Sequence, residues 1–436
     1  MKRKKSIDTL AAQAGVGADK AFGAVSVPIY TTAIYRYVAF GKHRGFDYSR
    51  SENPTRQAAE KALAELEGGS RAVAFSSGMA AISAAMTLFR AGDHILCSDD
   101  LYGGSYRFFE KVLRPYGLSF DYVDMADPRA VARKIGKKTK AVFIETPTNP
   151  LMKIADIRGV SRIAKDRGVL SIVDNTFMSP VLQQPLALGT DIVVHSATKF
   201  LGGHNDLIGG AVIVTDPDLG EKMHFAQKAV GAVLSPFDSW LLLRGIKTLS
   251  VRVARAQQNA EAVAAFLDAH PFVKKVFYPG LPGHARRELH FSQASGPGAV
   301  ISFELAKESA VPRFLESLST VILAESLGGV ETLVTHPTTM THADIPLAEQ
   351  AAVGLTPSLV RMSVGIENAD DLVSDIARAL RKAERESDRN KLATGIRAPR
   401  QRRAGSEEER PRTGAEAAEA ARAARKGGPG ASGRAR

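Results

Sequence analysis

Short apolar runs recur between about residues 71 and 214, and each is followed by a turn or an amphipathic stretch. Apolar runs that alternate with helical segments indicate a mostly parallel β-sheet with helices on its faces. The runs are AVAF, HILC, AVFI, LSIV, DIVV and AVIV, and polar or glycine residues follow five of them, as SSGM, SDDLYGG, ETPTNP, DNTF and HSATK. Because ligands bind outside the carboxyl ends of the strands in such sheets, we expect these five segments to line one crevice.

The pattern changes beyond about Gly245, where a long helical stretch precedes a turn rich in proline and glycine. A later run, GAVISFEL, predicts a strand of a second domain, and Asn368 is placed to cap a final helix. The predicted units are an N-terminal arm over residues 1–50, a large sheet domain over 51–245, a smaller C-terminal α/β domain over 246–386 and a disordered basic tail over 387–436.

The net charge of +12 is concentrated at the two ends of the chain. Residues 387–436 hold 13 Lys and Arg against 6 Asp and Glu, and four of the first five residues are basic. The remainder is close to neutral, which is typical of a globular enzyme with a charged appendage rather than of a basic binding face. We therefore predict that the protein has no nucleic-acid partner.

No uncharged apolar run approaches the roughly 20 residues that span a bilayer, so we predict no membrane insertion. The N-terminal segment has a basic start without a sustained apolar stretch, and we predict no secretion signal. The single cysteine, Cys97, cannot form an intramolecular disulfide. These features favour a cytoplasmic protein.

Two residues at predicted strand ends have side chains suited to a carbonyl cofactor with a pyridine ring. Lys199 follows DIVV and lies between hydroxyl residues, where partial desolvation lowers a lysine pKa and favours Schiff-base formation. Asp174 ends the run LSIVD, and a protonated pyridine nitrogen is a partner that offsets the cost of burying its carboxylate. Taken singly, a lysine or an aspartate in such a place is more often an ordinary loop or turn residue.

Further candidates suit a phosphate, an aromatic ring and a carboxylate. The turn SSGMAAI begins a predicted helix, and the backbone N–H groups of Gly78 and Met79 are placed to bind an anion there. Tyr102 is placed to lie flat on a ring, and Arg361, within the apolar stretch LVRMSV, to grip a carboxylate with both arms of its guanidinium. An ordinary helix start, a core tyrosine and a structural salt bridge are the alternatives that the residues alone leave open.

Taken together, these residues resemble the Cys/Met-metabolism family of pyridoxal-phosphate enzymes. The family includes cystathionine γ-synthases, cystathionine γ- and β-lyases, methionine γ-lyases and homoserine sulfhydrylases. The similarity extends from about residue 7 to residue 380. The motifs that carry it are YSRSENPT, SSGMAAI, LYGGSYR, ETPTNP, VDNTF, HSATKFLGGH, AESLGG, THPTTMTHA and VRMSVGIE.

The resemblance implies an α/β fold of the aspartate-aminotransferase type (fold type I) and pyridoxal 5'-phosphate as the cofactor. It implies that Lys199 carries the cofactor, that Asp174 meets the pyridine nitrogen and that Tyr102 stacks on the ring and acts as an acid. The implied phosphate ligands are Gly78, Met79, Ser196 and Thr198, with Tyr48 and Arg50 reaching in from a neighbouring subunit. The implied substrate ligands are Asn149, Ser326, Arg361 and Glu325. The family is usually a dimer of dimers, and no metal site is predicted.

Two positions narrow the choice of reaction by resemblance. Gly104 stands where methionine γ-lyases carry a cysteine, and Glu325 is similar to the glutamate of cystathionine γ-synthases and γ-lyases. We predict chemistry at the substrate Cγ. Cystathionine γ-synthase is favoured because LYGGSYR and SLGGVETLVTH with TMTHA resemble that subgroup. The alternatives are cystathionine γ-lyase, then β-lyase, O-acetylhomoserine sulfhydrylase and methionine γ-lyase. A non-enzymatic binding module is disfavoured, because both Lys199 and Asp174 are present.

Overall fold

Two β-sheets organise the chain, and a computed structural model describes residues 5–343 and 345–395. Residues 1–389 form one unit that contains both sheets, and residues 390–436 form a second unit. Of the second unit, only the end of one helix is among the described residues. Where the predicted domain boundaries fall therefore stays a prediction.

The first sheet has seven strands in the order β1-β7-β6-β5-β4-β2-β3. Its strands are β1 Arg71–Phe75, β2 His94–Ser98, β3 Ser119–Val123, β4 Thr139–Glu145, β5 Leu170–Asp174, β6 Ile192–Ser196 and β7 Gly210–Val214. Strands β2 to β6 pair in parallel, whereas β7 is antiparallel to both β1 and β6. The prediction of a mostly parallel α/β sheet is confirmed.

The second sheet has five strands in the order β10-β11-β12-β9-β8. Its strands are β8 Val273–Phe277, β9 Val300–Leu305, β10 Ile322–Leu323, β11 Leu333–Thr335 and β12 Leu359–Ser363. The strand predicted from GAVISFEL is β9, and all six of its residues are buried. Every residue of β12, including Arg361, is also buried.

Helices connect the strands and cover the sheets. The α-helices are α1 Ile7–Ala12, α2 Pro54–Glu67, α3 Gly78–Met86, α4 Gly103–Arg107, α5 Pro128–Lys134, α6 Ile157–Asp166, α7 Ser179–Leu182, α8 Pro217–Val230, α9 Pro236–Ile246, α10 Leu249–Asp268, α11 Arg287–Gln293, α12 Val311–Ser317, α13 Leu347–Val353 and α14 Ala369–Gly395. Shorter helical turns are Phe108–Leu113, Arg114–Tyr116, Pro185–Leu188, Glu308–Ala310 and Pro337–Thr339. Several helices begin with proline after a residue whose side chain caps the helix. The cap accepts from backbone N–H groups that have no partner within the helix, and proline has no N–H group to satisfy.

The last helix, α14, begins where the sequence predicted. The side chain of Asn368 accepts hydrogen bonds from the backbone N–H groups of Asp370 (2.8 Å) and Asp371 (3.4 Å). Leu372, Ile376 and Leu380 repeat at helical spacing and are fully buried in the core. The helix continues to residue 395, so its last residues belong to the segment assigned to the tail, whose boundary stays a prediction. The rest of the predicted disordered tail lies outside the described residues.

The strand ends of the first sheet place polar groups side by side. Strands β4, β5 and β6 end at Glu145, Asp174 and Ser196, and Glu145 is the register partner of Asp174. Because these strands are parallel, their carboxyl ends lie at one edge, as predicted. Among the residues that the structure describes, no helix is both long and apolar enough to cross a bilayer.

Candidate active site

A cavity of about 360 Å³ lies at this edge of the first sheet. Its wall is formed by the carboxyl ends of β4 to β6, by the start of α3 and by segments that flank the second sheet. Eleven of the thirteen predicted site residues line it: Gly78, Met79, Tyr102, Asn149, Asp174, Ser196, Thr198, Lys199, Glu325, Ser326 and Arg361. The structure thus brings together residues that are nearly 300 positions apart in the sequence.

Lys199 lies in the turn that follows β6. Its Nζ donates a hydrogen bond of 2.9 Å to the hydroxyl of Ser326. Burial, and secondarily the positive charge of Arg361, lowers the pKa of Lys199 to about 8, while Glu325 acts in the opposite direction. The neutral amine, which is the form that attacks a carbonyl group, is therefore accessible near neutral pH.

Ser326 itself has an unusual backbone conformation, with a φ of 133°. Few residues with a side chain adopt such values, and they concentrate at functional sites. The conformation lets Ser326 serve two partners, because its hydroxyl meets Lys199 while its carbonyl oxygen accepts a hydrogen bond of 3.0 Å from Arg361.

Arg361 projects into the cavity from the fully buried strand β12. Its Nη1 donates to the side-chain oxygen of Asn149 at 2.8 Å, and burial lowers its pKa to about 10. Among the described residues, no carboxylate forms an ion pair with Arg361, and its Nε has no hydrogen-bond partner. A buried cation of this kind is suited to bind the carboxylate of an amino acid.

Asp174 is half-buried at the end of β5. It accepts a hydrogen bond of 3.0 Å from the backbone N–H of Thr176, which favours its charged form. Burial raises the pKa of Asp174 in spite of that hydrogen bond and of the nearby imidazole of His195. A carboxylate in this environment is stabilised further by a cationic partner, as a protonated pyridine nitrogen would be.

The start of α3 forms a narrow anion cradle. The side chain of Ser77 accepts from the N–H of Ala80 at 3.0 Å, whereas the first N–H groups of a helix have no partner within the helix. A Cβ atom at Gly78 would lie only 2.8 Å from the Cβ of Ser196, so only glycine leaves the gap between α3 and β6 open. The hydroxyl of Thr198 exchanges hydrogen bonds with the backbone of Gly209.

Tyr102 lies between β2 and α4 with 40% of its surface exposed. Its ring occupies the space beside Gly104, since a Cβ atom there would lie 2.4 Å from the ring carbon Cε1. A Cβ atom at Gly103 would meet the carbonyl oxygen of Thr341 at 2.4 Å. The two glycines therefore allow Tyr102 to stand at the cavity wall.

Tyr48 and Arg50 are the two predicted site residues that do not line the cavity. The guanidinium of Arg50 lies 5.2 Å from the centre of the Tyr48 ring, and its Nη1 donates to the carbonyl oxygen of Lys228 at 2.5 Å. The ring of Tyr48 is 41% exposed. Their predicted role in the site of a neighbouring subunit stays a prediction.

Sequence reasoning missed several polar residues of the cavity wall. Glu145 is 5% exposed, and both of its carboxylate oxygens accept hydrogen bonds from backbone N–H groups of predicted site residues. His195 and Glu67 form a buried pair with 2.5 Å between Nε2 and Oε1. The motif ETPTNP contained the signal for Glu145, because an acidic residue follows the apolar run AVFI directly and ends the strand.

The fold and this set of donors define the class of protein as a fold type I pyridoxal-phosphate enzyme. The wall offers an amine of lowered pKa, a carboxylate for a ring nitrogen, a tyrosine ring and an anion cradle that a Cβ would fill. These groups fit the aldehyde, pyridine ring and phosphate of the cofactor.

The chain belongs to the family of Cys/Met metabolism PLP-dependent enzymes, whose model matches residues 8–381. It is therefore an enzyme of the trans-sulfuration family that depends on pyridoxal phosphate, as the sequence motifs predicted.

Three curated relatives of similar identity are named for different activities. A cystathionine gamma-lyase of Bacillus subtilis (strain 168) is 50% identical over 380 residues, which cover 87% of this chain and 99% of the relative. A cystathionine gamma-synthase/O-acetylhomoserine (thiol)-lyase of the same organism is 52% identical and covers 86% of this chain and 96% of the relative. A cystathionine beta-lyase of Lactococcus lactis subsp. cremoris (strain MG1363) is 49% identical, with 86% and 99% covered.

Solved structures show the same spread of names. Cystathionine gamma-lyase from Lactobacillus plantarum, complexed with L-serine, has a TM-score of 0.86 and 44% identity, covering 87% of this chain and all of the other. Cystathionine gamma synthase from Xanthomonas oryzae pv. oryzae, in complex with aminoacrylate and cysteine, has a TM-score of 0.86 and 43% identity, covering 88% and 100%. The family is thus established, while the particular reaction is not.

Proposed function

We propose that this enzyme is a cystathionine γ-synthase, which joins an O-acyl-homoserine to cysteine. The observation that supports a reaction with a second amino acid is the position of Glu325, which lines both the inner cavity and a wider outer pocket of about 790 Å³. A carboxylate between the two spaces is suited to the ammonium group of a second amino acid. A free sulfide or methanethiol has no such group. The preference for synthesis over cleavage rests on the resemblance of LYGGSYR and of SLGGVETLVTH with TMTHA to the synthases.

The residues of the cavity divide the work of such a reaction. Arg361 and Asn149 hold the substrate carboxylate, and Ser326 orients the amine of Lys199. Pyridoxal phosphate, held by Lys199, Asp174, Tyr102 and the anion cradle, supplies the electron sink for charge at the substrate Cα.

Lys199 and Tyr102 move the protons in this proposal. The neutral Nζ of Lys199 would remove the proton from Cα, pass it on to the conjugated system that the cofactor supplies and, neutral again, remove one from Cβ, so that the group on Cγ leaves with its bonding electrons. The hydroxyl of Tyr102 donates a proton to that leaving group. Glu325 holds the incoming cysteine so that its sulfur reaches Cγ before water diverts the substrate to a keto acid.

The second candidate is cystathionine γ-lyase, because Glu325 is equally suited to hold the distal amino group of cystathionine. The test compares kcat/KM for O-acetyl- or O-succinyl-homoserine with cysteine against kcat/KM for cystathionine alone. We expect synthesis to exceed cleavage by about tenfold, which corresponds to about 1.4 kcal/mol of transition-state binding.

Three other outcomes of this comparison are informative. Faster release of cysteine, ammonia and 2-oxobutyrate from cystathionine would replace the proposal with the γ-lyase. Pyruvate and homocysteine as main products would place bond breaking at Cβ and remove the argument from Glu325. Equal rates with sulfide and with cysteine would favour a homoserine sulfhydrylase.

A further inference from the structure

Glu145 is a buried carboxylate that joins two loops of the candidate site. Its Oε2 accepts a hydrogen bond of 3.0 Å from the backbone N–H of Tyr102, and its Oε1 accepts one of 2.9 Å from the backbone N–H of Asn149. Tyr102 follows strand β2 and Asn149 follows strand β4. One side chain therefore contacts the backbone of two proposed site residues that are 47 positions apart in the sequence.

Further hydrogen bonds hold Glu145 and its neighbouring loops in place. Glu145 is the last residue of β4, and its own backbone N–H donates 3.1 Å to the hydroxyl of Ser98 at the end of β2. Asp100 joins the same loops further from the cavity, since it accepts from the hydroxyl of Thr148 at 2.5 Å and from the N–H of Leu151 at 3.1 Å. These contacts fix the acceptor oxygens of Glu145 relative to the sheet.

Keeping a carboxylate at this position is costly. Glu145 is 5% exposed, and burial together with its register partner Asp174 raises its pKa well above the usual value. A hydrophobic residue would avoid that cost but would leave two N–H groups unsatisfied, and an amide has only one acceptor oxygen for the two donors. Among side chains of this length, the carboxylate has an acceptor oxygen for each of the two N–H groups.

We propose that Glu145 is a positioning residue that fixes the ring of Tyr102 and the side chain of Asn149 relative to each other. The chain of contacts continues from Asn149, whose side-chain oxygen accepts from Arg361 at 2.8 Å. Glu145 thereby aligns the tyrosine over the cavity with the groups that hold the substrate carboxylate. The proposal rests on the roles proposed above for Tyr102, Asn149 and Arg361.

The test uses the holoenzyme with Glu145→Gln, and Glu304→Gln as the matched control. Glu304 is also a strand residue that is 5% exposed, and it accepts a hydrogen bond from Thr356, but it does not line the cavity. Because glutamine keeps one acceptor oxygen, we expect hydrogen–deuterium exchange in Glu145→Gln to rise in segment 101–107, in segment 146–153 or in both, and nowhere else. Glu304→Gln should leave both segments unchanged.

The kinetic arm uses whichever amino-acid substrate the wild-type enzyme turns over. In Glu145→Gln, kcat/KM should fall by roughly 10- to 100-fold, the loss expected when one buried N–H is left without an acceptor, with a higher KM and a lower kcat. A support of the fold alone would instead lower the fraction of active enzyme at unchanged KM. Because the exchange measurement needs no substrate, it stands even if the proposed reaction is wrong.

Glu145→Asp keeps the charge but is too short to reach both N–H groups, so it should show the same local exchange in at least one of the two segments. Unchanged exchange in both segments, or unchanged KM, would overturn the proposal. So would exchange that rises throughout the chain, or a failure of both Glu145 variants to fold while Glu304→Gln folds.

Discussion

At the level of single residues, the two buried basic side chains of the cavity differ in how firmly they hold their protons. Arg361 keeps its charge, because a guanidinium with a pKa of about 10 stays protonated at neutral pH. Lys199 has a pKa of about 8, so a fraction of its amine is already neutral near neutral pH, because burial favours the neutral form. The site thus contains a fixed positive charge for an anionic group and an amine that exchanges its proton readily.

The lowered pKa of Lys199 predicts when its amine becomes reactive. In cofactor-free enzyme, acetylation of Lys199 by acetic anhydride should increase as the pH rises through about 8, rather than through the roughly 10.4 of an ordinary lysine. The midpoint of the modification lies at a lower pH because burial disfavours the charged ammonium group, which therefore loses its proton more readily. Mass spectrometry of the modified peptide measures this, with exposed Lys61 as a control for the reagent. A midpoint above pH 10 would contradict the burial argument.

At this scale the sequence predicted residues with conspicuous chemistry and missed those that act through hydrogen bonds. The sequence could indicate the eleven predicted residues that line the cavity, because they lie at strand ends or in recognisable motifs. The roles of Glu145 and His195 depend on which backbone N–H or side chain lies opposite them. Those contacts are set by the pairing of strands that are distant in sequence, which no local pattern contains.

At the level of elements, the antiparallel strand β7 was the least predictable part of the first sheet. The sequence indicated an apolar run at AVIV but not its direction or its place between β1 and β6. Strand β3 was not among the predicted runs, because it has a single buried residue and includes the exposed Asp121. Helix α10 and strand β9 were predictable from local periodicity alone.

The close contact of α3 with β6 predicts a strict requirement for glycine at position 78. In Gly78→Ala the new methyl group would meet Ser196, so α3 must move away and the anion cradle widens. We expect the affinity for pyridoxal phosphate to fall by at least tenfold, with the melting temperature of the cofactor-free protein less affected. Equilibrium dialysis of the cofactor measures the effect.

The matched control for this change is Gly136→Ala. No atom lies within 4 Å of the Cβ that this substitution adds, so cofactor affinity should be unchanged. Wild-type affinity in Gly78→Ala would show that the cradle tolerates a methyl group and is not the phosphate site.

For the whole molecule, we predict that each active site is shared between two subunits. Tyr48 and Arg50 lie away from the cavity of their own chain, and the resemblance predicts that they reach the site of a neighbour. Mixing Arg50→Ala with Lys199→Ala should then restore activity, because a hybrid dimer contains one site with both residues intact. Subunit exchange is verified by mass spectrometry of differently tagged chains.

The mixing experiment has a clear contrary outcome. If exchange is complete and activity does not return, Arg50 acts within its own chain or not at all. A mixture of Lys199→Ala with Lys199→Arg is the control, since no hybrid of these two chains contains an intact Lys199.

The antiparallel pairing of β1 with β7 also has a consequence for the synthesis of the chain on the ribosome. Strand β1 is an edge strand whose neighbour in the sheet is β7, about 140 residues later in the chain. At roughly 5–20 residues per second, the ribosome needs on the order of ten seconds to make that partner. During this interval an apolar strand has an open edge, which is the kind of surface that chaperones protect from aggregation. The anion cradle follows β1 directly and lies between α3 and β6, so it is completed only after β6 has emerged.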